Sequence, residues 1–248
     1  MNNTEYIFGI RAVIEAIKAG KDIDKVLIKK DFTGELAVEL FQVLKEYNIV
    51  TQRVPLEKIN RITRKNHQGV LAFLSPITYS ELDNVIPELF EQGKTPFILV
   101  LDGLTDVRNF GAIARTCECA GVDAIVIPER NSVSVNGDAI KTSAGALLHI
   151  PVVRAKNLNK AIKQLKESGY TVVGATEKAT ENYTKFDYTV PTAIVMGAED
   201  TGISIENIRE CDYLAAIPLL GKINSLNVSV AAGVLIYEVV RQRLGKDL

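Results

Sequence analysis

Apolar positions run along this chain in two rhythms. In the first ~75 residues a three-four spacing at Ile10, Val13, Ile14 and Ile17 predicts a helix that Gly20 stops. Leu36, Leu40, Phe41 and Leu44 share one side of a second helix, Leu36 to Tyr47. Short apolar runs at Val26 to Ile28, Ile49 to Val54 and Val70 to Leu74 predict strands, the last introduced by His67-Gln68-Gly69. From Phe97 the pattern tightens. Phe97-Ile98-Leu99-Val100-Leu101 is a continuous apolar run, the kind buried on both faces of a parallel sheet. Helices over Asn109 to Ala120 and Leu158 to Lys166 then alternate with strands at Ala124 to Ile127, Val152-Val153, Thr171 to Gly174 and Ala193 to Met196. Such alternation predicts an α/β fold with a doubly wound, mostly parallel sheet. Near the C-terminus an apolar strand is expected to reach Ile217-Pro218, a loop to turn at Gly221, and a helix to begin near Ser225-Leu226-Asn227. Its stripe is Val228, Ala231, Ala232, Leu235, Ile236, Val239 and Val240, and Arg241 and Arg243 close it where cations suit the helix dipole.

The stretch between these regions carries Pro76, Pro87, Gly93 and Pro96 around one short helix, Val85 to Phe90. The predicted organisation is a small α/β domain over 1–75, a linker over 76–95 and a larger domain over 96–248. A chain of 248 residues accommodates two such cores.

Composition narrows the class. At 47% hydrophobic and 24% charged residues the chain has a soluble, globular make-up. No apolar run approaches the ~18–20 residues of a membrane span, and MNNTEYIFGIR lacks the layout of a signal peptide, so a cytoplasmic location is expected. Cys117, Cys119 and Cys211 match no zinc spacing, their odd number argues against a disulfide framework, and His67 and His149 lie far apart; no metal is expected. Net charge is −1, yet residues 1–80 hold 12 Lys+Arg against 9 Asp+Glu, a net of +3. Within them Arg53, Lys58, Arg61, Arg64 and Lys65 face one acid, Glu57. That cluster is either a solvated face or a phosphate-binding patch.

Three strand ends in the larger domain are polar and glycine-rich, where ligands of open parallel sheets bind. The first runs from Leu101 through Asp102-Gly103 and Asn109-Phe110-Gly111 to Arg115-Thr116; Asn109 and Arg115, just under two helical turns apart, read either as bordering one pocket or as an N-cap and a surface arginine. Asn109 suits a helix N-cap, and Gly111 lets another backbone approach. The second is Gly197-Ala198-Glu199-Asp200-Thr201-Gly202, two glycines bracketing carboxylates. The third, Asn224-Ser225-Leu226-Asn227-Val228-Ser229, packs more short polar side chains before a helix than one cap needs; it reads as capping or as a polar pocket. No GxGxxG follows a strand, and there is no Walker A, GxSxG or HExxH. A cofactor here would be held by loops.

In this order and spacing the three stretches resemble the motifs of the SpoU/TrmH family of RNA ribose 2′-O-methyltransferases, in the SPOUT class. Asn109 to Thr116 is similar to the first motif, Met196 to Gly202 to the second, and Ile217-Pro218 through Ser229 to the third; Lys141 to Ala146 resembles a further family segment. Val107 departs from the pattern, since many members have proline there. Tyr6-Ile7-Phe8-Gly9 and His67-Gln68-Gly69-Val70 resemble the L30e-like RNA-binding domain that precedes the catalytic domain in bacterial 23S rRNA guanosine-2′-O-methyltransferases. The resemblance implies a deep trefoil knot, which ordinary folds lack, S-adenosylmethionine as cofactor and a homodimer through the C-terminal domain. It implies 23S rRNA as substrate and partner; tRNA ribose methylation, or RNA binding without catalysis, are the alternatives. Carried over by position, Gly197, Ile217 and Leu226 would contact the cofactor, and Asn109, Arg115, Glu199, Ser225 and Asn227 would form the catalytic set. A guanidinium rarely gives up its proton, so Arg115 is expected to stabilise a developing alkoxide, with Glu199 and Asn109 holding its side chain. Arg53, Arg61, Arg64 and Lys65 are expected to contact rRNA phosphates.

Overall fold

The apolar run Phe97 to Leu101 becomes β5 (Phe97–Asp102), buried at every position of the run at the centre of a six-stranded sheet. These are the features of a computed structural model that describes residues 5–245. The chain divides into two compact units, one over residues 1–78 with 135–137 and the other over 79–134 with 138–248.

The first unit contains β1 (Tyr6–Phe8), α1 (Ile10–Lys18), β2 (Ile23–Lys29), α2 (Glu35–Glu46), β3 (Thr51–Val54), α3 (Leu56–Ile62) and β4 (Val70–Leu74). Its sheet runs β1-β4-β2-β3, with β2 and β3 parallel and β4 antiparallel to both neighbours. Alternation along β2 sends Val26 and Ile28 into a core with Val13, Ile14 and Ile17 of α1 and Leu40 and Leu44 of α2. Leu27 faces the other way, under Ile59 of α3. His67 stays buried because Nε2 pairs with Asn60 Oδ1 at 2.8 Å and Nδ1 accepts from Gly69 N at 3.0 Å.

The second unit contains α4 (Leu82–Glu91), β5, α5 (Val107–Ala120), β6 (Ala124–Pro128), α6 (Gly137–Thr142, all but its first residue), β7 (Val152–Ala155), α7 (Leu158–Glu167) and β8 (Thr171–Ala175). It continues with β9 (Thr192–Gly197), α8 (Ile205–Ile208), β10 (Tyr213–Ala215) and α9 (Val228–Leu244). Every pairing in the order β10-β8-β9-β5-β6-β7 is parallel, so all the strands end on one side. No described helix is long and apolar enough to cross a membrane.

Two expectations need correction. Residues 76–95 are not a bare linker, because α4 buries Leu82, Val85, Ile86 and Leu89 in the core of the second unit. The strand expected to reach Ile217-Pro218 ends at Ala215, where its ladder with β8 stops; Pro218 has no N–H to extend one.

The C-terminus of α9 is tied down beyond what the helix dipole requires. Arg243 donates through Nε to Tyr188 O (3.0 Å), through Nη1 to Thr95 O (2.7 Å), and through Nη2 to Pro96 O (3.3 Å) and Val190 O (3.1 Å). Gln242 accepts from Tyr188 N and donates to Phe186 O. The helix is thereby clamped to the segments that lead into β5 and β9.

Candidate active site

At the first strand end the helix cap is Asp106, not Asn109. Asp106 Oδ1 accepts from the amides of Arg108 and Asn109 at 2.8 Å each. Relieved of that task, the Asn109 side chain leaves its own helix, and its Nδ2 donates to Glu199 Oε1 at 3.0 Å. Gly111 is where the expected close approach occurs: a Cβ there would come within 2.6 Å of Thr142 Cβ and 3.0 Å of Ser143 N.

Glu199 stands on the loop that follows β9, and that loop is folded back hard. Gly202 N donates to Ala198 O at 2.9 Å, and a Cβ on Gly197 would lie 1.9 Å from the carbonyl carbon of Gly202. The far end is held by Asp102 at the end of β5, whose Oδ2 accepts from Ser204 N (2.8 Å) and Asn207 Nδ2 (2.9 Å). Asp102 was not singled out from the sequence. Its signal was a carboxylate directly after a fully apolar strand.

The third stretch supplies Asn227, which caps α9 by accepting from Ser229 N (3.0 Å) and Val230 N (3.4 Å) through Oδ1. Its Nδ2 donates to Glu199 Oε1 at 2.7 Å and to Asn109 Oδ1 at 3.0 Å. Val228 N also points at Glu199 Oε1, 3.4 Å away. Asn109, Glu199 and Asn227 thus close a hydrogen-bonded triangle drawn from all three stretches. The carboxylate sits at the amino end of α9, where the helix dipole favours negative charge. One Asn227 side chain thus caps the helix with its oxygen and joins the polar cluster with its nitrogen.

Beside the triangle lies an open cleft of about 670 Å³, its mouth included, over the carboxyl ends of β8, β9 and β10. Gly197, Ile217 and Leu226, expected to contact a cofactor, and Ser225 and Glu199, expected in the catalytic set, all line it. Glu177 at the end of β8 and Leu219 line it too, and sequence reasoning named neither. Among the described residues no group of three His, Cys, Asp or Glu is placed to hold a metal ion.

Arg115 does not join this cluster. It is exposed on α5 and makes no hydrogen bond or ion pair among the described residues, so Glu199 and Asn109 do not hold it as expected. Six residues along a helix turn the side chain through about 600°, well away from the face that carries Asn109. The basic residues of the first unit are not one patch either. Arg53 turns to the α2 side of its sheet, over the Phe41 ring and onto Lys30 O (3.0 Å), whereas Lys65 lies over Phe8. Arg61, on α3, and Arg64 are exposed.

Residues 96–237 match the family model described as SpoU rRNA Methylase, and residues 6–80 match one described as RNA 2′-O ribose methyltransferase substrate binding. A Staphylococcus saprophyticus protein placed in the TrmH family of tRNA/rRNA methyltransferases is 39% identical over 237 residues, covering 96% of this chain and 95% of its own. The crystal structure of an AdoMet-bound rRNA methyltransferase from Sinorhizobium meliloti superposes with a TM-score of 0.61 at 26% identity, over 95% of this chain and 86% of that one. A TrmH/SpoU tRNA modifying enzyme from A. aeolicus gives a TM-score of 0.58 at 28% identity. That match spans only 66% of this chain, against 86% of its own.

Proposed function

The chain belongs to the SpoU rRNA methylase family, and from that premise we propose that it methylates the ribose 2′-hydroxyl of a guanosine in 23S rRNA with S-adenosylmethionine. The observation that carries the reading is the triangle of Asn109, Glu199 and Asn227 at the rim of a cleft over parallel strand ends.

The cleft suits that cofactor chemically. Ile217, Leu219 and Leu226 offer apolar surface to an adenine, and Glu177 and Glu199 place carboxylates where a cationic ligand needs them. Backbone around Gly197, Ile217 and Leu226 would hold it. S-adenosylmethionine supplies a methyl group on a positively charged sulfur, an excellent leaving group. What remains for the protein is alignment, which can supply roughly 7–11 kcal/mol, and charge stabilisation at the ribose oxygen. Glu199 locks the Asn109 and Asn227 amides, so the rim is organised before RNA arrives. Ser225 adds a hydroxyl to the same rim. Arg115, with its donors uncommitted among the described residues, is the group we assign to the RNA: it grips phosphate and stabilises the alkoxide as the proton leaves.

Support for rRNA over tRNA comes from coverage. The S. meliloti rRNA enzyme corresponds to 95% of this chain, whereas the tRNA enzyme corresponds to 66%. Within the first unit, exposed Arg61, Arg64 and Lys65 would contact phosphates, with Arg53 contributing from the opposite side of the sheet. The same reading gives the chain the family's trefoil knot, a cytoplasmic place of work and a homodimer. Val230, Tyr237 and Leu244 support the dimer: they are 53%, 52% and 58% exposed and recur every seven residues along one face of α9. Sedimentation of a 27 kDa particle would remove it. The central test is Arg115→Ala, which is expected to abolish methyl transfer to rRNA while calorimetric binding of S-adenosylmethionine persists. Wild-type turnover would overturn the assignment. Mass-spectrometric mapping of 2′-O-methyl sites in rRNA and tRNA from a deletion strain identifies the target.

A further inference from the structure

In the first unit charge and flat rings meet on the sheet face that α3 only partly covers. Alternation along β2 sends Lys25, Leu27 and Lys29 to that face. Ile59 of α3 covers Leu27, Leu71 and Val54 at one side of it, and Tyr6, Phe8 and Phe73 remain half-buried at the other. The register sets three of these residues in one line across three strands: Tyr6 pairs with Phe73, and Phe73 with Lys25. Lys25 Nζ stands 5.5 Å from the centroid of the Phe73 ring, and Lys65 Nζ stands 5.8 Å from that of Phe8. The Tyr6 and Phe8 centroids are 6.2 Å apart.

We propose that this row is a stacking platform for unpaired bases of a single-stranded RNA segment, with Tyr6 and Phe73 as its rings and Lys25 and Lys65 taking the flanking phosphates. The inference rests on the RNA methyltransferase reading and deepens it, since residues 6–80 match a substrate-binding model that names no surface. Two physical points select this ligand. A base offers a flat π-face to a ring, and its phosphates offer the charge that ammonium groups beside the ring attract. In a duplex those π-faces are covered by neighbouring bases, so a platform of rings discriminates for loops, bulges and ends. Lys25 and Lys65 now stand over the Phe73 and Phe8 rings, and both would leave those ring faces for the flanking phosphates as bases stack.

The test uses the full chain, a fluorescently labelled oligoadenylate dodecamer, and a blunt RNA duplex of the same length. Tyr6→Leu and Phe73→Leu keep apolar bulk but remove the ring. Each is expected to weaken dodecamer binding by about 5- to 150-fold, with duplex binding, S-adenosylmethionine binding and the circular dichroism spectrum of the folded chain unchanged. Phe73→Tyr, which keeps a ring, is expected to bind as the wild type does, so a general loss of folding is told apart from a lost stack. Lys25→Gln should reduce the slope of log affinity against log salt by about 0.7. The platform is overturned if folded Tyr6→Leu and Phe73→Leu keep wild-type affinity, if they lose duplex affinity equally, or if the wild type does not prefer the single strand. Because dodecamer binding needs no methyl transfer and Arg115→Ala reads only the transfer, failure of one reading is distinguishable from failure of the other.

Discussion

Gly197 and Gly202 lie five residues apart on one loop, and a methyl group is unwelcome at each for a different reason. At Gly197 the new Cβ would sit 1.9 Å from Gly202 C and 2.1 Å from Ile203 N, both backbone atoms that no rotamer change can move. At Gly202 nothing lies within 4 Å of such a Cβ, but φ is +67°, where an L side chain costs about 1–2 kcal/mol. Gly197→Ala is therefore expected to destabilise the second unit by more than about 3 kcal/mol and to abolish S-adenosylmethionine binding. Gly202→Ala should cost about 1–2 kcal/mol and still bind. Urea denaturation paired with calorimetry checks both; equal losses at the two positions would show that the fold-back is not what shapes the cleft. From sequence, both glycines look alike as brackets of Glu199-Asp200. Only the Ala198–Gly202 closure separates steric need from conformational need.

Helix α9 carries the site at one end and its anchor at the other, and the turn before that anchor holds a buried carboxylate. Glu238 is only 6% exposed yet ionised: hydrogen bonds from Arg241, at 2.7 Å to each oxygen, and from Gln242 hold its carboxyl below the ordinary 4.5, against the opposing effect of burial. A group whose folded pKa is lowered contributes stability in full above its unfolded pKa, and that contribution is lost as pH falls through the lower folded value. Glu238→Gln is therefore expected to lower the urea midpoint at pH 7 and to lose less further stability than the wild type between pH 5 and pH 3. Parallel pH profiles would show that this carboxylate does not contribute the difference. Periodicity made α9, α5 and β5 legible in the sequence because each buries most of a stripe or a whole run; in α9 only Ala231 and Val240 of the stripe are left half-buried. It did not reveal β1, a three-residue strand, or α3, whose seven residues Leu56 to Ile62 read as part of a cluster of charge. The site divided in the same way. Strand-end glycines and the family resemblance pointed to Asn109, Glu199 and Asn227, but contacts across 90 and 118 residues depend on β5 and β9 being neighbours. Spacing alone cannot show that, nor that six helical residues turn Arg115 away from the face that carries Asn109.

At the scale of the whole chain, each unit has a large apolar cluster of its own, which implies two separable stabilities. One core joins Val13, Ile14 and Leu40 to Val26 and Ile28, and the other joins Ile98, Val100 and Val195 to α4 and α7. Every residue lining the cleft belongs to the second unit. A ligand that binds the folded cleft stabilises only the equilibrium it is linked to, by about 2.7 kcal/mol at a hundred times its Kd. Thermal unfolding is thus expected to resolve two transitions, and saturating S-adenosylmethionine should raise one midpoint by several degrees and leave the other in place. Oligoadenylate should act on the transition that the cofactor leaves unmoved, because Tyr6 and Phe73 pack in the first unit. Scanning calorimetry with each ligand alone and then both together reads this directly. A single cooperative transition raised by either ligand would mean that the units unfold as one, and that substrate bound to the first is coupled to the cofactor site through the folded state itself.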